Sequence, residues 1–334
     1  MSSATLVTIA VDAMGGDHAP SVVLQGVEAA LASDPALRVM LVGPEDVVAP
    51  FAEGRDRVEA VFSTEVVGMD EHAAAAVRGK KDSSIVVGCR LVKEGRADGF
   101  FSLGNSGATM AAATLMMGRI PGVLRPAIAT VLPTAGAPCV LLDVGANADC
   151  KPEHLAQFGI MGAAYAHSTL GVENPRVALL NIGEEPTKGS VLAQEAYALL
   201  ESRVPGFIGN VEGRDIPAGT ADVIVTDGFT GNVALKLMEG MSSHLLGEFK
   251  AALTSSAVSK VAAAVLKPAL AGLRDKLDPD VHGAAPLLGV QGLALIGHGS
   301  SGARAVASAL RVGAVAVRGG LVDRVAAALA ELGA

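Results

Sequence analysis

The sequence has no tryptophan, and aromatic residues make up only 3% of its 334 residues. Aromatic side chains are the usual stacking platforms for the bases of single-stranded nucleic acids, so their scarcity argues against such binding. The net charge of −8 and the isoelectric point near 5.4 argue against a general nucleic-acid-binding protein as well. We therefore expect no nucleic-acid partner.

Cysteine is scarce too. Cys89, Cys139 and Cys150 are odd in number and form no C-x-x-C pair, which argues against a disulfide framework or a thiolate zinc site. The first residues lack the basic segment of a signal peptide. No window of about 20 residues is apolar enough to span a membrane. These features predict a reduced, cytoplasmic protein without a bound metal.

Several nucleotide-binding and hydrolase patterns are missing. There is no G-x-x-x-x-G-K-[ST] phosphate loop and no G-x-S-x-G elbow, and the glycine-rich run GNSGAT lacks the G-x-G-x-x-G spacing. We therefore expect no cofactor. A metal-dependent, NAD-linked dehydrogenase stays open as a rival interpretation, although we find neither clustered metal-binding aspartates nor a nicotinamide site.

Short β-rich runs alternate with helical patterns, which predicts a mostly parallel sheet covered by helices on both faces. We find no repeat or long polar linker, so residues 1–334 are expected to form a single two-lobed α/β unit. The predicted strands are Leu6–Val11, Val39–Val42, Gly99–Ser102, Ala127–Leu132, Cys139–Asp143, Val177–Asn181, Val223–Thr226 and Leu293–Ile296. The predicted helices are Ser21–Ala32, Ser83–Glu94, Gly107–Met117, Glu153–Leu170, Gly189–Ser202 and Ser301–Val317.

Residues 229–277 contain no strand-like run. Their pattern predicts two long helices broken near Thr254–Ser256, a protruding helical hairpin. The second helix combines an apolar stripe with four basic residues: Lys260, Lys267, Arg274 and Lys276. Two interpretations stay open, a dimerisation or core-facing helix and a basic amphipathic surface that contacts anionic lipid or an acidic partner.

Six glycine-rich turns follow predicted strands. In an open parallel sheet, ligands bind beyond the carboxyl ends of the strands, and glycine lets backbone N–H groups approach an anion. We therefore expect all six turns to open onto one edge of the sheet and to form at least one anion site. The turns are DAMGGDHAP (12–20), SLGNSGATM (102–110), DVGANADCKPEH (143–154), NIGEEPTKGS (181–190), TDGFTGN (226–232) and GHGSSG (297–302).

These turns, with FIGNVEGRDI and GAAPLLGVQGLALIGHGSS, occur in an order that resembles the bacterial phosphate acyltransferase (PlsX) family over residues 6–320. The resemblance implies a three-layer α/β/α fold like those of phosphate acetyltransferase and isocitrate dehydrogenase, and a homodimer. It also implies an enzyme that converts the acyl thioester of acyl carrier protein (acyl-ACP) and inorganic phosphate into acyl-phosphate and free acyl carrier protein (ACP). A membrane-bound glycerol-3-phosphate acyltransferase would then use the product, which implies peripheral membrane contact.

Such a reaction needs little acid–base help. The phosphate nucleophile is already anionic, and the leaving thiol has a pKa of about 8.5. The demanding tasks are to hold the phosphate beside the carbonyl and to stabilise the tetrahedral oxyanion. We expect His18, Asn105 and Lys188 to carry the chemistry. The expected phosphate- and substrate-binding residues are Gly15, Gly16, Asp17, Ser106, Gly107, Thr109, Asp227, Asn232 and His298.

Each candidate also has a structural interpretation. His18 and His298 sit where a helix begins, Asn105 would serve equally as a helix cap, and Lys188 has Glu184 and Glu185 as potential ion-pair partners. Cys150 next to His154 allows an acyl-cysteine route, although a lone cysteine is usually a small buried residue. The residue types alone leave these alternatives open.

The implied ACP partner is acidic, so an acidic enzyme needs a local basic patch to receive it. Arg78–Lys81 and the basic residues of the hairpin are the candidates. The alternative to an enzyme is a non-enzymatic scaffold that binds acyl-ACP and carries it to the membrane.

Overall fold

A computed structural model describes residues 5–331, except 262, 264, 267–271 and 273–282. Its strands are β1 (Val7–Asp12), β2 (Leu37–Gly43), β3 (Val58–Phe62), β4 (Gly99–Ser102), β5 (Ala127–Leu132), β6 (Cys139–Leu142), β7 (Val177–Leu180), β8 (Phe207–Val211), β9 (Val223–Val225), β10 (Ala285–Leu288) and β11 (Leu293–Ile296). Its α-helices are α1 (Ser21–Ser33), α2 (Glu45–Ala52), α3 (Ala73–Gly79), α4 (Ser84–Lys93), α5 (Ser106–Ala112), α6 (Pro152–Leu170), α7 (Val191–Arg203), α8 (Asp215–Ala218), α9 (Gly228–Thr254), α10 (Ala303–Arg318) and α11 (Leu321–Glu331). A π-helical turn, Ala113–Met117, extends α5.

The strands form because short apolar runs can be buried on both faces of the sheet. Phe100 and Phe101 of β4 are both fully buried, yet they pack in different hydrophobic clusters on opposite faces. Helices α1, α6, α7, α10 and α11 pack on one face, and α3, α4 and α5 pack on the other. The predicted three-layer α/β/α fold is confirmed. The two-lobed organisation of the chain stays a prediction.

The eleven strands have the order β3-β2-β1-β4-β11-β10-β5-β6-β9-β7-β8. Strands β3, β2, β1, β4 and β11 are parallel to one another, as are β6, β9, β7 and β8. Between these groups the direction reverses three times, because β10 is antiparallel to both β11 and β5, and β5 is antiparallel to β6. The two parallel groups therefore run in opposite directions.

This reversal makes the prediction of one common edge wrong. The turns after β1, β4 and β11 lie at one edge of the sheet, and we call them the first loop cluster. The turns after β6, β7 and β9 lie at the opposite edge, and we call them the second loop cluster. The sheet thus carries two separate groups of three glycine-rich turns.

The long helix of the predicted hairpin is confirmed. Helix α9 has 27 residues and ends at Thr254, and helical backbone resumes at residue 257. Most of the second predicted helix, including Lys267, Arg274 and Lys276, lies outside the described residues. Six apolar side chains along α9 are about half or more exposed at a regular spacing of four residues: Phe229, Val233, Leu237, Met241, Leu245 and Phe249.

Within the described part of the chain, no single helix has both the length and the apolar composition needed to cross a membrane. The bent pair α10 and α11 meets that test only when the two helices are taken together.

Candidate active site

A cavity of about 260 Å³ opens at the second loop cluster. The N-terminal residues of α7 and of α9 both line it, together with Asn181 after β7 and Thr226 after β9. Each helix N-terminus presents free backbone N–H groups and a favourable dipole to an anion. Leu155, Leu179 and Leu192 supply an apolar wall. The cavity therefore combines positions that favour binding of an anion with space for an apolar group.

The turn that carries Lys188 is held in one conformation by two asparagines. The Asn181 side chain donates to the Lys188 carbonyl at 3.1 Å and accepts from the Ile182 N–H at 2.8 Å. The buried Asn210 side chain of β8 donates to the Glu185 carbonyl at 2.9 Å, which also accepts from the Lys188 N–H at 3.0 Å. Both backbone groups of Lys188 are thereby fixed.

The Lys188 ammonium itself is available. The side chain is exposed, and among the described residues it forms no ion pair; Glu184 instead lies near Arg214. The predicted alternative of a pair with Glu184 or Glu185 is therefore not found. The next residue, Gly189, has φ +89°, and a Cβ there would lie 2.2 Å from the Asn181 oxygen, so glycine is required beside the cation.

Asp143 organises the neighbouring turn after β6. Its fully buried carboxylate accepts five hydrogen bonds, from the N–H groups of Ile128, Gly145, Ala146 and Asn147 and from the Asn147 amide. Burial raises the pKa of this carboxyl, and the hydrogen bonds partly oppose that rise. Asp143 therefore acts as the anchor of the turn rather than as a substrate ligand.

The start of α9 packs directly against this anchored turn. The Gly228 N–H donates to the Asn147 carbonyl at 2.8 Å, and a Cβ on Gly231 would lie 2.0 Å from the Asp143 carbonyl oxygen. This close approach explains the two glycines of the TDGFTGN run. It also brings the exposed Asn232 next to Gly145. A Cβ added to Gly145 would lie 3.8 Å from the side-chain oxygen of Asn232.

Asp227 lines the cavity as the N-cap of α9. One carboxylate oxygen accepts from the Thr230 N–H at 2.9 Å and the other from the Thr230 hydroxyl at 2.8 Å. Its observed contacts are those of a helix cap. The substrate-binding role of Asp227 stays a prediction.

Cys150 lies in the same cluster, and its protonation state bears on the acyl-cysteine route. Burial raises the pKa of the Cys150 thiol to about 11, with a smaller contribution from the charge of Asp143. The thiolate is the reactive form of cysteine. A thiol with this pKa is almost entirely protonated at neutral pH, which disfavours the acyl-cysteine route.

At the opposite edge, the first loop cluster has a buried carboxylate at its centre. Asp12 accepts from the Ser102 hydroxyl at 2.7 Å and from the Met14 N–H at 3.0 Å, and burial raises its pKa. A Cβ on Gly15 would meet the Gly104 nitrogen at 2.7 Å, and Gly16 has φ +96°. These glycines thus permit close packing of the turns after β1 and β4, and their phosphate-binding role stays a prediction.

Asn105 is the best-bonded predicted residue of this cluster. Its oxygen accepts from the Ala108 N–H at 2.9 Å, and its amide contacts the carbonyls of Gly68, Met69 and Glu71 at 3.0–3.2 Å. The capping alternative is therefore confirmed as its observed contact. Ser106 is exposed, Gly107 packs against Ala73, and the fully buried Thr109 hydroxyl has no hydrogen-bond partner among the described residues.

The two predicted histidines lie at the surface of the first loop cluster. His18 is exposed, and its ring forms no hydrogen bond with any described residue. His298 Nδ1 lies 2.8 Å from the Ser300 hydroxyl, a local turn contact. The Asp17 N–H donates to the Gly299 carbonyl at 2.8 Å and joins the turns after β1 and β11. Catalysis by His18, and binding by Asp17 and His298, stay predictions.

Sequence reasoning missed several residues of both clusters. Asn181 and Asn210 lie in quoted motifs, yet neither was singled out. GHGSSG, between β11 and α10, also has the G-x-G-x-x-G spacing. Its context differs from that of a dinucleotide site, because α10 leads into a second helix, α11, and not into a parallel strand within the described residues.

Comparison with known proteins decides the family. The family described as "Fatty acid synthesis protein" matches residues 7–324. The chain is 53% identical over 310 residues to a phosphate acyltransferase of Heliobacterium modesticaldum, covering 91% of this chain and 92% of the relative. It is 49% identical over 324 residues to that of Desulfitobacterium hafniense, covering 96% of each. The chain belongs to the phosphate acyltransferase family.

Solved structures agree on the fold. A phosphotransacetylase from Streptococcus pyogenes matches with a TM-score of 0.60 at 16% identity, covering 93% of both chains. A branched-chain phosphotransacylase from Enterococcus faecalis matches with a TM-score of 0.59 at 14% identity, covering 94% of this chain and 99% of the other. The predicted phosphate-acetyltransferase-like fold is confirmed, and the family makes this chain an acyltransferase enzyme rather than a scaffold.

Proposed function

We propose that this enzyme transfers a fatty acyl group from an acyl-ACP thioester to inorganic phosphate and so supplies acyl-phosphate for phospholipid synthesis. The observation that carries the proposal is the cavity of the second loop cluster, where two helix N-termini converge beside the unpaired Lys188. An anion fits the helix N-termini and the lysine, and an acyl group fits the apolar wall.

The reaction needs no protein nucleophile. A phosphate oxygen attacks the thioester carbonyl carbon and forms a tetrahedral oxyanion, which then collapses with cleavage of the C–S bond. The electron pair leaves on sulfur, and the thiolate takes a proton from solvent to give free ACP. Lys188 and the helix N-termini would hold the phosphate, and Asn232, exposed beside Gly145 in the same loop cluster, would donate to the oxyanion.

The acidic ACP needs a basic surface, and Arg78–Lys81 and the hairpin are the two predicted candidates. Lys80 of the Arg78–Lys81 run forms an ion pair with Glu71 at 2.5 Å, so its charge is partly neutralised. Lys260, at the far end of the hairpin, is exposed. We propose that the carrier docks on the hairpin side, which begins at the cavity with α9.

The exposed stripe of α9 supports a homodimer. Six large apolar side chains along one helix form a patch that monomeric soluble proteins rarely leave in water. We propose that a second copy covers the part near the sheet and that the far end of the hairpin contacts the membrane surface. There a membrane-bound glycerol-3-phosphate acyltransferase would consume the product of a cytoplasmic, peripherally attached enzyme.

The test is release of free thiol from palmitoyl-ACP by the full-length protein, with and without inorganic phosphate, followed by trapping of the product with hydroxylamine. Release that depends on phosphate and yields a hydroxylamine-reactive acyl product is the expected result. Equal release without phosphate would identify a thioesterase. Binding of palmitoyl-ACP without any release would show that acyl-ACP is not the donor from which this acyltransferase transfers an acyl group to phosphate.

A further inference from the structure

Arg125 lies at the edge of the sheet that carries the second loop cluster, although no motif marks it. It precedes β5, whose first residues pair with the end of β6. The carbonyl of the next residue, Pro126, accepts from the Asn147 amide at 2.8 Å. The Asn147 carbonyl in turn accepts from the Gly228 N–H at 2.8 Å. Two hydrogen bonds therefore join the Arg125 segment to the start of α9, where Asp227 lines the cavity.

The segment around Arg125 is rigid on both sides. The preceding residue, Leu124, donates its N–H to Gln157 at 2.8 Å, and the Gln157 amide donates to the Gly122 carbonyl at 2.9 Å. The backbone is thus tied to α6 before Arg125 and to Asn147 after it. The backbone beside Arg125 is therefore held in place, so that binding a ligand requires ordering of its side chain only.

The Arg125 side chain, in contrast, has no partner. It is exposed, and it forms no hydrogen bond or ion pair with any described residue. Its charge nevertheless acts on the cluster: burial is the main cause of the lowered pKa of His154, and the charge of Arg125 lowers it further. The hydrogen bond from the Asn147 amide to the Pro126 carbonyl, at 2.8 Å, places Arg125 next to the turn after β6, and its guanidinium has no partner among the described residues.

The carboxylates of the second loop cluster make a further cation necessary for binding of a phosphate dianion. The Asp143 carboxylate accepts from the Asn147 amide at 2.8 Å, and Asp227 precedes Gly228, whose N–H donates to the Asn147 carbonyl, so two carboxylates lie around this turn. A phosphate dianion beside them would be repelled unless more than one positive charge faced it. Lys188 provides one. A guanidinium adds two parallel N–H donors that match two phosphate oxygens.

We infer that Arg125 binds the phosphate substrate with its guanidinium and forms, with Lys188, a pair of cations around the anion. The inference rests on the proposed function for its substrate. It adds a binding residue from a segment outside all six glycine-rich turns.

The test compares Arg125→Ala and Arg125→Lys with the wild type in the thiol-release assay, with phosphate and palmitoyl-ACP varied separately. We expect Arg125→Ala to raise the KM for phosphate at least 10-fold, since a lost charge-assisted bidentate contact is worth about this much or more. The KM for palmitoyl-ACP should stay within about two-fold. Arg125→Lys, which keeps the charge without the fork, should be intermediate.

Lys151→Ala is the matched control, because Lys151 is exposed and its charge also acts on His154. It should leave the KM for phosphate within about two-fold. If Lys151→Ala and Arg125→Ala have equal effects, the general field of the cluster is responsible and the specific role of Arg125 is wrong. A raised KM for palmitoyl-ACP alone would reassign Arg125 to the carrier and overturn the inference, as would a wild-type KM for phosphate in Arg125→Lys.

A second readout is independent of turnover. Phosphate should raise the Tm of the wild type and raise it less in both Arg125 variants, which also shows whether each variant is folded. If the wild type releases no thiol but phosphate still stabilises it through Arg125, only the proposed reaction is wrong. If the wild type turns over normally and the Arg125 variants keep its phosphate response, only the role of Arg125 is wrong.

Discussion

The two loop clusters are made of the same kind of glycine-rich turn, yet their polar side chains differ in hydrogen bonding. In the first loop cluster, Asn105, Asp12 and His298 all bond to neighbouring protein groups. In the second, Lys188 is exposed without a partner among the described residues, as is Arg125 beside the cluster, and a cavity lies between two helix N-termini. Glycine content therefore does not distinguish a packed junction of turns from a ligand site. His18 of the first loop cluster is also exposed and unbonded to any described residue, so the cavity at the helix N-termini, together with the cations, sets the second cluster apart.

The largest expected effect is at the second loop cluster. Lys188→Met should lower kcat/KM for phosphate about 100-fold, because it removes a cation from both the bound anion and the transition state. The Tm should hardly change, since the Lys188 side chain is exposed and unpaired. Lys93→Met, an exposed lysine at the end of α4, is the control and should retain wild-type kinetics. A loss of less than three-fold in Lys188→Met would remove the contrast between the clusters.

The next effect tests whether the Lys188 turn must be held in place. Asn210→Ala removes the bond to the Glu185 carbonyl, which also accepts from the Lys188 N–H. We expect the KM for phosphate to rise about 10-fold, in line with one lost buried hydrogen bond. In the double variant with Lys188→Met, the Asn210 change should add almost nothing, since both act through Lys188. Fully additive losses would show that Asn210 acts elsewhere.

A smaller and different effect is expected in the first loop cluster. Asn105→Ala should lower the free energy of unfolding by about 2 kcal/mol, because it removes a helix cap and the contacts of the amide with residues 68–71. Chemical denaturation measures this change. The KM for phosphate of the folded variant should stay within about three-fold. A rise above 10-fold would instead support the predicted role of Asn105 as a phosphate ligand.

Much of the fold was predictable because buried parallel strands read as short apolar runs. All eight predicted strands are present, with ends that differ by at most two residues. The three missed strands each break the pattern: β10 contains Pro286, β8 contains Gly209 at φ +101°, and β3 is only partly buried. Proline and glycine are uncommon inside strands, so tertiary pairing outweighs local preference there.

The reversal of strand direction within the sheet is the feature of the fold that the sequence prediction lacked. Strand β10 is followed after four residues by β11, with Gly289 and Gly292 at positive φ, and β5 is followed after six residues by β6. Short glycine-containing connections of this kind indicate antiparallel pairs. These connections account for two of the three reversals, and the third, between β10 and β5, joins segments far apart in the chain, so the division of the six turns between two edges depends on a long-range pairing. The contacts of Arg125 and Asn210 also join distant segments, and one sequence does not reveal them.

The two halves of the sheet also allow a matched test of pH dependence. Hydrogen bonds from Arg176 are the main cause of the lowered pKa of Asp222, and Arg318 does the same for Asp34. A carboxyl with a depressed folded-state pKa stabilises the protein above its unfolded pKa, about 3.9, and this is lost as pH falls through the folded-state value. Asp222→Asn and Asp34→Asn should each cost about 1 kcal/mol at pH 7 and progressively less as the pH falls below about 3.9.

Denaturation curves at several pH values measure these differences. The Arg176 side chain is 49% exposed and the Arg318 side chain 25% exposed, so solvent screens the first pair more. We therefore expect the Asp34 variant to lose slightly more stability than the Asp222 variant. If either substitution lowered the free energy of unfolding more at acid pH than at pH 7, the result would contradict the expected contribution of the charged carboxylate.

The smallest expected effect tests whether Cys150 of the second loop cluster acts as a nucleophile. Cys150→Ala should keep kcat within about three-fold, because a thiol with a pKa of about 11 supplies almost no thiolate at pH 7. Hydroxylamine trapping and mass spectrometry of the wild type during turnover should detect acyl-phosphate and no acylated protein. A loss of 100-fold, together with an acyl group on Cys150, would replace direct attack by a two-step route. The phosphate held by Lys188 would then attack an acyl-enzyme, and the contrast between the clusters would include the nucleophile itself.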